Sequence, residues 1–339
     1  MKKYNVAVVG ATGAVGETLI SILEERNFPV QTLFPLASAR SAGSKVMFHG
    51  KPVTVQNLAE FDFSQAQIGL FSAGGSVSAE YAEKAGKAGC IVIDNTSHFR
   101  YEPDIPLVVP EVNPASIAGY TKRNIIANPN CSTIQMLLVL KPIHDLVGIA
   151  RINVATYQAV SGTGKLAIEE LAAQTAALLN GKEAQCEVYP RQIAFNVLPQ
   201  IDVFMDNGYT KEEMKMCWET RKILGDDSIG VNASCVRVPV FYSHSEAVHL
   251  ETREAISEQQ VRELMRSAPG VVLMDERRDG GYPTAVHDSA GHDEVFVGRI
   301  RKDISHPLGM NLWIVGDNVR KGAALNSIQI AELLIKDYL

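Results

Sequence analysis

Tyr4-Asn5-Val6-Ala7-Val8-Val9-Gly10-Ala11-Thr12-Gly13-Ala14-Val15-Gly16 opens the chain as an apolar strand that runs straight into a glycine turn. From Ala14 to Arg26 the pattern is helical, with Val15, Leu19, Ile22 and Leu23 on one buried face. Glycines at such a turn permit a tight bend and let the backbone approach a pyrophosphate, whose charge the helix N-terminus stabilises. The spacing is GxxGxxG, a variant of GxGxxG, and its strand–turn–helix context is what gives a glycine triplet meaning. A nucleotide site is expected here. The alternative is a glycine-rich turn that binds nothing.

Further along, a second strand is expected from Thr32 to Ala37, with Pro35 weakening its pairing. A hairpin turns at His49-Gly50-Lys51. A short buried strand, Ile68 to Phe71, runs into Ser72-Ala73-Gly74-Gly75, followed by a helix from about Val77 to Lys87 and a strand from Cys90 to Asp94. Strands alternating with helices imply a Rossmann-like, doubly wound parallel sheet. An NAD site wants Asp or Glu at the end of the second strand, for the ribose diol. Ser38-Ala39-Arg40-Ser41 instead offers hydroxyls and a guanidinium suited to a 2′-phosphate. NADP is therefore expected, with Arg40 as a solvated loop charge the competing reading.

Beyond residue 131 the pattern changes. Long strands (Arg151 to Ala159, Ser234 to Phe241, Glu246 to Thr252, Glu294 to Arg301, Asn311 to Gly316) outnumber helices near Lys165–Leu179, Lys211–Leu224 and Glu258–Ser267. An α+β domain with a mixed sheet is expected over 131–322. Residues 1–130 and 323–339 form the nucleotide domain, the last helix presenting Leu325, Ile328, Ala331, Leu334 and Ile335 as its buried stripe.

Composition bounds the function. With 339 residues there is room for two cores. A net charge of −6 lacks the basic footprint of a nucleic-acid binder. No apolar run approaches the roughly 20 residues that span a bilayer, and the N-terminus carries no signal-peptide pattern. The 5 cysteines form no CxxC pair, so a reducing cytoplasm with no disulfides is expected. The 8 histidines are scattered, and no metal site is expected.

Asn128-Pro129-Asn130-Cys131-Ser132-Thr133-Ile134-Gln135 places a thiol where a buried helix begins. Unpaired backbone N–H groups and the macrodipole favour a thiolate there. A buried cysteine as small apolar filler fits the segment equally well. Arg237 and His244 are separated by an odd number of residues, which puts them on opposite faces of a regular strand. Pro239 and Tyr242-Ser243-His244 make a break plausible, and histidine suits proton transfer near neutral pH. Alone, His244 reads more often as a structural hydrogen-bonding residue. Ser161-Gly162-Thr163-Gly164-Lys165 superficially looks like a P-loop, but Ala159 stands where its first glycine belongs and Leu166 where Ser or Thr should follow. It reads as a turn near the site.

Together the glycine turn, Asn128–Gln135, Gln158-Ala159-Val160-Ser161-Gly162, Glu212-Glu213-Met214-Lys215 and Arg237…His244 resemble the aspartate-β-semialdehyde dehydrogenase family over essentially the whole chain. The resemblance implies Cys131 as nucleophile, His244 as acid/base and Gln158 as the group orienting substrate or thioester. It implies Arg237 for the substrate carboxylate, Glu212 for its ammonium, Lys215 and Arg100 for phosphate, and Asn130 for phosphate or oxyanion. Glu212 and Lys215 lie at i,i+3 on one helix face; without the family they read as a solvated pair, and Arg100 as a surface charge just as often as a ligand. NADP contacts are implied at Gly10, Thr12, Gly13, Ala14, Val15, Gly16, Ser38, Arg40, Ser41, Ser72, Gly74, Ser161, Gly162 and Asn318. The implied reaction is NADPH-dependent reduction of L-4-aspartyl phosphate to aspartate semialdehyde with release of phosphate, by a catalytic domain that forms a homodimer or tetramer. N-acetyl-γ-glutamyl-phosphate reductase has related chemistry, but Glu212 and Arg237 argue for a free ammonium and a short substrate. A glyceraldehyde-phosphate-type dehydrogenase differs around Asn130-Cys131-Ser132. A catalytically silent nucleotide-binding relative would have no use for Cys131, Gln158, Arg237 and His244 together.

Overall fold

β1 (Tyr4–Val9) is buried along its length apart from Asn5, because it runs through the interior of a six-stranded parallel sheet. The computed structural model describes residues 2–339, which fall into two units: the chain up to Asn130 with Ala323–Leu339, and Cys131–Gly322. In the first unit β1 is followed by α1 (Ala14–Glu25), β2 (Val30–Ala37), a hairpin of β3 (Lys45–Phe48) and β4 (Lys51–Thr54), β5 (Gln56–Asn57), β6 (Ile68–Phe71), α2 (Gly75–Lys87), β7 (Ile91–Asp94) and β8 (Ile125–Ala127). The sheet order is β5-β2-β1-β6-β7-β8. This is the doubly wound sheet expected from the strand–helix alternation. Pro35 is accommodated because β5 pairs only with Leu36 and Ala37, so that side of β2 is an edge at Pro35 and needs no N–H.

The second unit opens with α3 (Cys131–Val147) and β9 (Ile149–Gln158), then α4 (Lys165–Leu179), α5 (Lys211–Leu224), β10 (Gly230–Arg237), β11 (His244–Thr252), α6 (Glu258–Ser267), β12 (Val271–Leu273), β13 (Val295–Lys302) and β14 (Gly309–Gly316). Its sheet runs β10-β9-β11-β14-β13-β12, with β10 parallel to β9, β12 parallel to β13 and the remaining pairs antiparallel. This is the mixed sheet expected. α3 lies against β9, β11, β13 and β14, so alternate residues of β11 (His244, Glu246, Val248, Leu250) are buried beneath it. The expected strand Ser234 to Phe241 is shifted: β10 starts at Gly230 and ends at Arg237. Pro239 supplies no N–H, the Val240 N–H turns back to Val238 O, and Ser243 takes a left-handed φ of 73°, so the ladder cannot continue.

α7 (Leu325–Asp337) ends the chain and packs with α1 in the first unit, burying Leu325, Ile328, Ala331 and Leu334. Ile335 is partly buried against the same core.

Candidate active site

Strand register builds the centre of the second unit. Arg237 ends β10 and pairs with Gln158, the end of β9; Ser245 pairs with Tyr157, which sets His244 beside Gln158 on the other side. Directly opposed residues share a face of the sheet. The break after Arg237 thus turns an odd separation in sequence into a row of three side chains on the buried face. All three are nearly inaccessible, with His244 fully buried.

Their contacts are specific. The Ala159 N–H donates to His244 Nδ1 at 3.0 Å, so the neutral ring carries its proton on Nε2. That Nε2 stands 3.4 Å from Gln158 Nε2, which donates to Glu212 Oε1 at 3.1 Å. Burial, assisted by the Arg237 charge and opposed by Glu212, lowers the His244 pKa to about 3. Arg237 Nη1 donates to Ala159 O at 2.6 Å, while its Nε is buried without a partner. Gly162, in the short turn after β9, completes the wall: a Cβ there would meet Arg237 Nη1 at 3.0 Å and His244 Nε2 at 3.4 Å.

Thr210 and Glu213 form a capping box that fixes where α5 begins and so aims Glu212 and Lys215. Lys215 Nζ donates to Asp202 at 2.7 Å and Glu212 at 3.0 Å. Burial pulls its pKa down, but the two carboxylates more than offset this and hold the ammonium above its usual range. Cys131 is the first residue of α3 and half-buried. Its side chain lies against Gly322, where a Cβ would meet Cys131 Cβ at 2.7 Å. The turn before Gly322 is pinned by Asp317, which accepts from the N–H groups of Val319, Arg320 and Gly291. Asn318 bonds Ser161 at 3.0 Å and accepts from the Ser243 N–H at 2.9 Å, tying together the two loops beside His244.

In the first unit, Gly10 takes φ 87°, and any Cβ on Gly16 would fall 2.1 Å from Gly10 O. α1 starts after Gly13, and α2 after Gly74 (φ 96°), both without a side-chain cap. Open helix N-termini beside glycine turns suit the pyrophosphate of a dinucleotide. Ser72 Oγ donates to Val9 O at 3.0 Å, holding the β6 end to β1. Thr12, Ala14 and Val15 are half-buried on the turn; Ser38 and Arg40 are exposed and Ser41 half-buried after β2. Arg100 is buried, donating to Asn128 O at 2.9 Å and Asn95 O at 2.8 Å, and Asn130 is buried close by in sequence. Arg100, Asn130 and the Gly10–Gly74 set therefore belong to the first unit. Cys131, Gln158, Ser161, Gly162, Glu212, Lys215, Arg237, His244 and Asn318 belong to the second.

Residues 5–120 match the semialdehyde dehydrogenase NAD-binding domain, and residues 140–321 match the semialdehyde dehydrogenase dimerisation domain. Aspartate-semialdehyde dehydrogenase of Shewanella violacea is 65% identical over 337 residues, covering 99% of each chain. The chain belongs to the aspartate-semialdehyde dehydrogenase family. Aspartate semialdehyde dehydrogenase II from Vibrio cholerae, solved in complex with ASA, superposes with a TM-score of 0.98 at 62% identity and full coverage of both chains. A family structure with NADP, from Candida albicans, has a TM-score of 0.77 at 27% identity, covering 98% of this chain and 99% of that one. Like its relatives, this family member is an oxidoreductase with a nicotinamide-nucleotide-binding domain.

Residue-level reading overlooked the Ala159 backbone, Gly322 and the buried polar pair Gln135 and Glu246. A backbone N–H and a glycine outside a recognisable motif give no chemical signal in a sequence. Glu246 does: it interrupts the apolar alternation His244, Glu246, Val248, Leu250 on a buried strand face.

Proposed function

We propose that the chain reduces L-4-aspartyl phosphate to L-aspartate 4-semialdehyde, releasing phosphate, with NADPH and a thioester on Cys131. Arg237 carries this reading: it is a buried cation with an unused donor. Such a group calls for an anion, and the α-carboxylate of an aspartyl substrate is one. Glu212 is the matching partner for a free ammonium. An N-acetylated glutamyl substrate lacks that charge.

The Cys131 sulfur bonds to the acyl carbon as the bond to phosphate breaks, and first-turn N–H groups of α3 stabilise the oxyanion. Arg100, Asn130 and Lys215 are the candidates to hold phosphate. Gln158 orients the thioester. A nicotinamide nucleotide, held by the Gly10–Gly16 turn, would supply the hydride that reduces the thioester. His244 moves the proton at Nε2 as the hemithioacetal collapses. Arg237 helps keep the ring neutral; a carboxylate on that guanidinium would mask its charge and favour protonation. An imidazolium donates from both nitrogens, so taking up the proton costs the Ala159 contact to Nδ1.

Arg40 is exposed and makes no ion pair among the described residues, which leaves it available for the NADP 2′-phosphate. Replacing Arg40 with Ala is expected to raise the NADP KM about tenfold to a hundredfold while leaving the NAD KM nearly unchanged, as steady-state kinetics with both nucleotides would reveal. Gly162→Ala pushes a methyl onto Arg237, so the aspartate semialdehyde KM should rise about tenfold with thermal stability little altered. The reaction places the chain in the route to lysine, with its diaminopimelate intermediate, threonine and methionine. Five free cysteines fit a reducing cytoplasm. A homodimer or tetramer would use the sheet face opposite α3, where Tyr157 is 38% exposed and its ring lies tilted to Trp313 with centroids 5.7 Å apart.

Phosphate-dependent reduction of NADP by aspartate semialdehyde tests the proposal. Activity with N-acetylglutamate semialdehyde in its place would move the chain to the neighbouring reaction, and none with either would mean a silent relative.

A further inference from the structure

Glu246 lies two residues after His244 on β11, on the same buried face, with no accessible surface. Neither carboxyl oxygen has a hydrogen-bond partner that meets normal geometry, and Gln135 Oε1 is likewise buried without one. Gln135 and Ser132, both near the start of α3, adjoin the carboxyl group. Gln135 reaches this place because Gly316, which pairs with His244 across β14, has no side chain: a Cβ there would meet Gln135 Oε1 at 2.7 Å. Its Nε2 donates to the backbone carbonyl of His244 at 3.3 Å.

We propose that Glu246 is a positioning residue of the reaction: through Gln135 and Ser132 it fixes the first turns of the Cys131 helix against the strand that carries His244. The proposal rests on the roles assigned above to Cys131 and His244. An ionised carboxylate with both oxygens buried is costly, and burial pushes the Glu246 carboxyl well above its usual range, against a smaller opposing pull from Gln135 and Ser132. The neighbouring titratable group, the buried Cys235 thiol, is itself pushed well up, chiefly by burial, and so offers Glu246 no charge to pair with. With both oxygens buried and unpartnered, the protonated form is the one these surroundings favour. Its single O–H can donate to Gln135 Oε1, an acceptor that is buried without a partner. Gln135 then joins that bond to the His244 backbone, while Ser132 adjoins Cys131 in sequence. An apolar residue at 246 would fill the strand face at lower cost, as Val248 and Leu250 do, but would leave both ends of this link unmade.

Glu246→Gln and Glu246→Leu separate positioning from packing. Glu246→Gln keeps a neutral donor and should hold kcat within about threefold of wild type. Glu246→Leu should lose about a hundredfold in kcat with KM changed less than about threefold, and the Cys131 peptide should alkylate with iodoacetamide about tenfold more slowly at neutral pH. A folded Glu246→Leu protein with wild-type kcat and alkylation rate would overturn the proposal, as would a Glu246→Gln protein equally impaired. Should Glu246→Leu not fold, Gln135→Met removes the same link from the helix side and is read in the same way. Alkylation needs no substrate, so a wild-type protein inactive on aspartate semialdehyde would refute the proposed function while leaving the role of Glu246 to be decided by the alkylation rates.

Discussion

Cys131→Ser is expected to reduce turnover of aspartyl phosphate about a thousandfold or more while NADPH affinity stays unchanged. The two side chains are close in size, so the substitution leaves the contact with Gly322 and the start of α3 intact. What it removes is the nucleophile. A cysteine sulfur is intrinsically a strong nucleophile once deprotonated, whereas a serine hydroxyl in the same place is a weak one that ionises far less readily. The glycine turn at Gly10–Gly16 lies in the other unit and is untouched. Single-turnover kinetics and a fluorescence titration with NADPH would check both halves. Residual activity within about tenfold of wild type would remove Cys131 from the chemistry.

His244→Asn should lower kcat about a hundredfold to ten-thousandfold, the range for removing a positioned acid/base. It should also change how stability depends on pH. Burial first, and Arg237 second, lower the His244 pKa from 6.5 to about 3. Below pH 6.5 an unfolded chain protonates this histidine while the folded protein does not. The contribution of His244 is thus fully present above pH 6.5 and is lost as pH falls towards 3. Between pH 7 and pH 4.5 the wild type should lose roughly 3 kcal/mol more stability than His244→Asn. Urea midpoints of both proteins at the two pH values measure this, and equal losses would show that the ring is not held neutral by the fold.

Local pattern made most elements legible. α1 and α7 could be read from apolar periodicity because each buries one stripe, and the first sheet from strands separated by helices. The second sheet was harder, since its site depends on which strands become neighbours. Nothing in Arg237 or Gln158 announces that β10 runs parallel to β9, although that pairing sets them side by side and the β9–β11 pairing adds His244 to the row. Pro239 hinted at the break, but the turn at Val240 and the left-handed Ser243 are three-dimensional outcomes. Roles for Gln158, Glu212 and Lys215 came from family resemblance, because a glutamine on a strand and an i,i+3 ion pair on a helix are commonplace. Glu246 was legible on chemical grounds as an acid in an apolar row, and its link to Gln135 depends on the glycine at 316.

Acyl transfer to Cys131 can be observed directly by mixing the enzyme with aspartate semialdehyde and NADP in the absence of phosphate, then following NADPH and the mass of the Cys131 peptide. The account predicts a burst of about one NADPH per site and an aspartyl group on Cys131 that phosphate discharges. No burst, or an acyl group on any other residue, would contradict it.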